Sequence, residues 1–248
     1  MSTEEEIKEI FGHIRNVMMA HKEMGMEPPP LSREVLDYME REVSEVRGSK
    51  EKSIYPDSLE GLREILGDCK RCKLYKSRKK LVFGEGSPRA RLVFVGEGPG
   101  REEDLAGRPF VGEAGDLLTR IIERGMGLNR EDVYICNVVK CRPPGNRDPE
   151  RDEIEACLPF LKQQIRIIRP DVICTLGRIS TKELLEREIK ITQERGNWYS
   201  FMEIPLMPTY HPAYIVRNPS RERELKAQVW EDVKKIMSQL GLEVKKND

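Results

Sequence analysis

The sequence predicts an α/β fold: a central four-stranded parallel sheet flanked by helices, with a small helical appendage at the N-terminus. Apolar runs rich in Val, Ile and Leu stand at Leu92–Val95, Val133–Val138, Val172–Leu176 and Ile204–Pro208. Near-continuous runs of this kind mark strands buried on both faces. Helical patterns fall between and after them, at Gly115–Gly125, Asp152–Ile168, Thr181–Glu188 and Arg221–Leu240. Strand–helix alternation points to a parallel sheet covered on both sides. Polar motifs then locate a site. Glu97 follows the first strand, Asn137 ends the second and His211 follows the fourth. Ligands of such sheets bind outside the carboxyl ends of the strands, so the three are expected to converge on one edge.

The chain divides at about residue 57 into an N-terminal extension with linker (1–57) and a main domain (58–248). In the extension, Ile7, Ile10, Phe11, Ile14 and Met18 recur at helical spacing, predicting an amphipathic helix from Thr3 to Glu23 that Pro28-Pro29-Pro30 breaks. A second helix is expected from Ser32, as N-cap, to Val46. This appendage either packs on the main domain or docks a protein partner.

Composition sets the outer bounds. Apolar residues make up 38% and charged residues 35% of the 248, which fits a chain with a core rather than a disordered one. Lys plus Arg and Asp plus Glu both number 43, so net charge is silent about nucleic acid. No stretch approaches the roughly 18 apolar residues of a membrane span, and the acidic start (Met1 to Glu6) does not resemble a secretory signal. A cytoplasmic monomer is expected. Distribution of charge says more: seven of the eleven residues from Lys70 to Lys80 are basic and none is acidic. That segment is either a solvated face or a phosphate-contacting patch.

Six cysteines in a cytoplasmic chain point to metal ligands or buried thiols rather than disulfides. Cys69 and Cys72 form a CxxC pair, and Cys141 and Cys157 follow with fifteen residues between them. Four thiolates hold either zinc or an iron–sulfur cluster, and spacing alone does not choose. Cys136 and Cys174 lie within the apolar runs and read as small buried residues.

Three motifs carry a resemblance. They are Gly96-Glu97-Gly98-Pro99-Gly100 with Glu103, the stretch Cys136-Asn137-Val138-Val139-Lys140-Cys141-Arg142-Pro143-Pro144-Gly145-Asn146, and His211-Pro212-Ala213-Tyr214 with Arg217. Together they resemble the iron–sulfur uracil-DNA glycosylases, the family usually numbered four, over roughly Leu59 to Leu240. The resemblance implies a monofunctional enzyme that flips uracil out of single- or double-stranded DNA and hydrolyses its N-glycosidic bond, leaving an abasic site. It assigns Cys69, Cys72, Cys141 and Cys157 to a [4Fe–4S] cluster, for which a structural role is expected and redox sensing is the alternative.

An enzyme of this class cannot reach its bond inside a stacked duplex. The pocket therefore needs a stacking surface, a reader of the base edge and a stabiliser of the departing anion. Asn137 matches the reader, because an amide donates to uracil O4 and accepts from N3–H, where cytosine presents the reverse. Phe110, in Gly107-Arg108-Pro109-Phe110, matches the stacking aromatic. His211 matches the donor to uracil O2; sequence leaves open whether it is neutral or cationic. Glu97 either orients and deprotonates water or stabilises a cationic sugar. Glu103 matches a carboxylate near the uracil C5 edge, Asn146 a holder of water, and Gly96 and Gly98 permit close backbone approach. Ile215 or Tyr214 is expected to fill the gap left by the flipped base. Arg217, Lys79 and Lys80 are expected on phosphates. Two departures stand out. Arg101 replaces an acid of the first motif, and Ala213 replaces a common Ser.

A dinucleotide-binding reading fails, because Arg101 stands where the glycine fingerprint needs a small residue. The broader-range glycosylase branch typically has an apolar residue at the Glu97 position, and the branch that forms covalent DNA adducts carries a His-containing insertion not seen here. The surviving alternative is a non-catalytic iron–sulfur DNA-binding module, against which the joint presence of Glu97, Phe110, Asn137 and His211 argues.

Overall fold

The computed structural model describes residues 56–243. The helices expected at Thr3–Glu23 and Ser32–Val46 lie outside the described residues.

The four expected strands form the centre of the sheet as parallel neighbours. They are β2 (Leu92–Gly96), β3 (Tyr134–Asn137), β4 (Val172–Leu176) and β6 (Ile204–Thr209). Two short strands extend it, β1 (Glu85–Gly86) and β5 (Tyr199–Phe201), giving the order β1-β3-β2-β4-β6-β5. Both edge strands pair antiparallel, so the central four-stranded parallel sheet is extended to a mixed sheet of six strands among the described residues. The sequence hid them for physical reasons. β1 has two residues, too few for a period. The β5–β6 connection is a two-residue hairpin whose loop residues, Met202 and Glu203, both take positive φ (53° and 66°). Such turns ordinarily announce themselves as Asn-Gly, and Met-Glu does not.

Alternation along the strands builds two cores. Phe94, Ile135, Cys174 and Met207 face one side, against Leu118, Ile122, Val233 and Ile236. Val93, Val95, Cys136, Ile173 and Leu206 face the other, against Ile154, Leu161, Ile165 and Leu184. Among the described residues eight α-helices, α1–α8, flank the sheet: Leu59–Leu66, Arg101–Ala106, Gly112–Arg120, Arg151–Ile168, Arg178–Leu185, Ile191–Glu194, Pro212–Val216 and Glu222–Gln239. α3 begins three residues before the expected Gly115 and runs into a π-helical turn, Ile121–Met126. α5 also starts three residues early, because Gly177 turns directly out of β4 at φ 91°.

Chain direction fixes where a site forms. From β2 the chain moves to β3 on one side, and from β4 to β6 on the other. The crevice between the carboxyl ends of β2 and β4 is thus the switch point of the sheet, the place where such folds bind ligands.

Candidate active site

A cavity of about 510 Å³ opens at that crevice. Its wall includes Glu97, Gly98, Glu103, Phe110, Asn137, Asn146, His211, Tyr214 and Arg217. The structure therefore brings together residues that the chain spreads over more than a hundred positions.

Asn137 ends β3 directly beside Gly96 of β2, its register partner. The residue is 2% exposed, and its Oδ1 has no hydrogen-bond partner. A buried acceptor left unpaired costs roughly 1–3 kcal/mol, so this orphan marks a position that something else completes. A Cβ on Gly96 would lie 2.4 Å from that Oδ1 and 2.6 Å from Cζ of Phe110. Glycine keeps open the gap between reader and ring. Behind Asn137, buried Lys140 donates from Nζ to the Asn137 carbonyl at 2.8 Å and to Gln164 Oε1 at 2.6 Å. Sequence reading did not single out either.

Phe110 sits in the left-handed region at φ 50°, an uncommon conformation for a bulky residue. Its ring stacks on that of His211, centroids 5.4 Å apart and planes inclined by 28°. His211 caps the N-terminus of α7, and its Nδ1 accepts the N–H of Ala213 at 3.1 Å. Burial pulls its pKa down to about 4, and the Arg217 charge adds to the fall. The imidazole is thus neutral at pH 7. With Nδ1 accepting, its proton resides on Nε2, which makes Nε2 a donor.

Glu97 follows β2, and its backbone carbonyl accepts from Val139 N–H at 3.0 Å. Burial pushes its carboxyl pKa up to about 7; the Asp148 charge adds to the rise, while Arg178 and Arg217 oppose it. Asp148 is paired with Arg178 (Oδ2 to Nη2, 2.5 Å), and this pair joins the loop after β3 to the start of α5 across the cavity. No local pattern announces this pair, because the two residues come from different connections.

Glu103 lies in α2 and accepts the Val111 N–H on Oε1 at 3.1 Å, tying down the loop that carries Phe110. Burial raises its pKa against the hydrogen bonds it accepts. Asn146 lines the cavity but is exposed, and its Oδ1 accepts from Arg142 Nε at 2.7 Å.

Two expectations need correction. Ile215 is 1% exposed and packs in the core with Leu225 and Val229, so it has no path to a base gap without leaving the core. Tyr214 is the half-buried neighbour that lines the cavity, packed on Tyr210 at 5.5 Å between centroids. The basic stretch is also less free than its charge implied. Arg71 and Arg78 donate to backbone carbonyls and to cysteine sulfur, and Lys73 pairs with Glu150 and Asp152. Lys79 and Lys80 remain exposed, as does Arg217, whose Nε caps the Ala213 carbonyl at 3.1 Å.

The four candidate cysteine ligands gather from three segments: the loop after α1 (Cys69, Cys72), the loop after β3 (Cys141) and α4 (Cys157). They stand near enough for their charges to act on one another. Among the described residues, no three Cys, His, Asp or Glu side chains close to the spacing of a single-ion site. Donors are aimed at three of the sulfurs. Arg71 Nη1 reaches Cys69 (3.3 Å), Arg78 Nη1 reaches Cys141 (3.4 Å) and the Lys140 N–H reaches Cys157 (3.2 Å). Burial holds the free thiols of Cys141 and Cys157 above their ordinary range, and the N–H donors oppose that rise, favouring the thiolate form that a cluster requires.

Residues 83–234 match the family model of the Uracil DNA glycosylase superfamily. The chain belongs to that superfamily, within its type-4 family. A type-4 uracil-DNA glycosylase of Sulfurisphaera tokodaii is 52% identical over 73% of this chain and 84% of its own length. Those of Thermotoga maritima (49%, over 72% and 95%) and Saccharolobus solfataricus (47%, over 75% and 88%) are similarly placed. The resemblance seen in the motifs of this type-4 chain thus extends along the domain. Among the described residues no helix is long and apolar enough to cross a membrane.

Proposed function

We propose that residues 58–248 form a monofunctional uracil-DNA glycosylase that hydrolyses the N-glycosidic bond of flipped deoxyuridine and leaves an abasic site. The observation that carries this reading is the unpartnered Asn137 Oδ1, buried at the end of a gap that Gly96 keeps open beneath the Phe110 ring. A uracil stacked on Phe110 would present N3–H to that oxygen and O4 to the amide nitrogen. Cytosine would offer a lone pair to the one and an amine to the other.

As the glycosidic bond breaks, negative charge gathers on uracil O2. His211, neutral with its proton on Nε2, donates there without needing to be protonated first. The sugar becomes cationic, and Glu97 faces the same cavity. With a pKa of about 7 its carboxylate takes a proton from water as readily as it supports the sugar by charge. Water is the nucleophile in this reading, since among the described residues no lysine lines the cavity to form a Schiff base.

Cys69, Cys72, Cys141 and Cys157 would hold a [4Fe–4S] cluster, which when bound clips three segments of chain together. One of these segments is the loop that continues from Asn137. Lys79, Lys80 and Arg217 are proposed to meet DNA phosphates, and Tyr214 to occupy the gap in the stack.

The test is incubation with a labelled single-stranded oligonucleotide carrying one uracil, followed by alkali. Strand breakage at that position only after alkali is the expected result. Intact DNA, bound by protein with its cluster present, would instead establish the non-catalytic binding module.

A further inference from the structure

Phe110 is held in its left-handed conformation by a residue outside every motif. Arg130 lies in the 3₁₀ turn Arg130–Asp132, and its side chain is 15% exposed. Nη2 donates to the carbonyls of Pro109 (2.8 Å) and Phe110 (3.2 Å). Nη1 donates to Thr119 Oγ1 of α3 at 2.8 Å, while Nε and Nη2 both reach Glu85 Oε1 of β1, at 3.1 and 2.8 Å. Burial pushes the Glu85 pKa up, but hydrogen bonds from Arg108 and Arg130 outweigh it and hold the carboxylate ionised. The planar fork therefore spans three elements: an edge strand, a helix and the loop carrying the stacking aromatic.

A strained backbone position persists only where its surroundings over-determine it. Three contacts do so here. Arg130 grips the loop carbonyls, Glu103 takes the Val111 N–H, and Gly115 lets α3 press so close that a Cβ there would stand 2.0 Å from the Phe110 oxygen. Of the three, only Arg130 bonds to Phe110 itself. We infer that Arg130 is a positioning residue for base stacking: it fixes the carbonyls of Pro109 and Phe110 so that the Phe110 ring stands ready before the base arrives. Lysine cannot replace it, because one ammonium cannot reach two carbonyls, a hydroxyl and a carboxylate in a fixed plane.

The inference rests on the glycosylase reading, and a double-mutant cycle tests it. Single-turnover excision of uracil from single-stranded DNA is measured for wild type, Arg130→Gln, Arg130→Lys, Phe110→Leu and the two doubles. Affinity for undamaged DNA and thermal stability are measured beside it. Arg130→Gln is expected to slow excision by roughly tenfold to a hundredfold, the range of one base-on-ring stack, with affinity for undamaged DNA unchanged. Arg130→Lys should behave like the glutamine variant. In the Phe110→Leu background both losses should shrink to less than about threefold, because the ring they position is gone.

Should Arg130→Gln fail to fold, Thr119→Val removes one anchor of the same guanidinium, and a smaller loss that also disappears with Phe110→Leu supports the inference. Losses of equal size in both backgrounds, or full activity in a folded Arg130→Gln, overturn it. Absence of excision by the wild type removes the glycosylase reading and this inference together.

Discussion

The imidazole of His211 lies against the ring of Phe110 with centroids 5.4 Å apart, inside the contact range of aromatic pairs. No base fits between rings so close. A uracil stacked on the face of Phe110 that His211 flanks would therefore lie beside the imidazole rather than beneath it, and would meet it edge to edge. That is the geometry in which Nε2–H points at an in-plane carbonyl oxygen. His211→Ala is expected to lower the single-turnover rate of excision by roughly a hundredfold to a thousandfold, as for other single donors to a developing anion. Binding of DNA should change little. A loss confined to binding would show that the histidine holds substrate and does not stabilise the departing base.

Glu97 gives the pH dependence. A carboxylate with its pKa at about 7 is half protonated at neutrality, so activity should rise through pH 7 and level off above it. His211, with its pKa at about 4, contributes no change in that range. Asp148→Asn removes a like charge from Glu97 and releases Arg178 from its ion pair. Both changes favour the ionised carboxylate, so the rising limb of kcat should move to lower pH. A limb that stays in place would mean that another group titrates.

The same residue affects stability, with a sign that can be worked out. Unfolded, Glu97 titrates at its ordinary value of 4.5; folded, at about 7. A raised carboxyl pKa means that the folded state disfavours the charge, so the cost appears between those values and is fully present above 7. Glu97→Gln should thus be more stable than wild type at pH 8, by about 1–2 kcal/mol after allowance for solvent screening of a partly exposed group. The gain should vanish at pH 4. Thermal melts at the two pH values decide it.

Much of this site was legible in the sequence because strand ends are legible. Asn137, Glu97 and His211 each follow a buried apolar run, and a parallel sheet forces such positions onto one edge. The contacts that complete the site were not legible, because they depend on residues distant in sequence. Asp148 meets Arg178 and Arg130 meets Phe110 through connections whose paths no local pattern reveals. Ile215 shows the limit from the other side. A position beside a motif predicted an exposed wedge, while the packing of α7 against α3 and α8 buried it. Charge density left a similar ambiguity: Lys70–Lys80 read as either a solvated face or a patch, and carbonyls, carboxylates and thiols engage Arg71, Lys73 and Arg78.

Ile215 and Tyr214 should therefore separate cleanly. Ile215→Ala empties part of a closed core and is expected to cost about 2–5 kcal/mol of stability. Its effect on excision should be equal for single-stranded and duplex substrates. Tyr214→Ala should leave stability nearly unchanged and slow duplex excision more than single-stranded excision, since only a duplex closes behind the flipped base. The reverse pattern would restore Ile215 as the wedge.

The cysteine set carries its own test. Protein prepared without air should be coloured, with iron and sulfide in equal amounts, and Cys141→Ser should lose colour and melt at lower temperature. Because the cluster is proposed as a clip and takes no part in bond breaking, any remaining folded variant should keep measurable excision. Colourless wild type with stoichiometric zinc would refute the cluster.

Asn137 joins function to stability most directly. Its Oδ1 is buried without a partner, a cost borne by the free protein and relieved when a base arrives with N3–H. Asn137→Ala removes that unsatisfied group, and the space it leaves opens into the cavity instead of forming a closed void. Stability should hold or rise, while excision falls by at least roughly a hundredfold with affinity for undamaged DNA kept. A variant that loses stability and activity in proportion would mean that Asn137 supports the strand end. Opposite movement of the two quantities is the signature of a residue whose missing hydrogen bond is supplied by substrate.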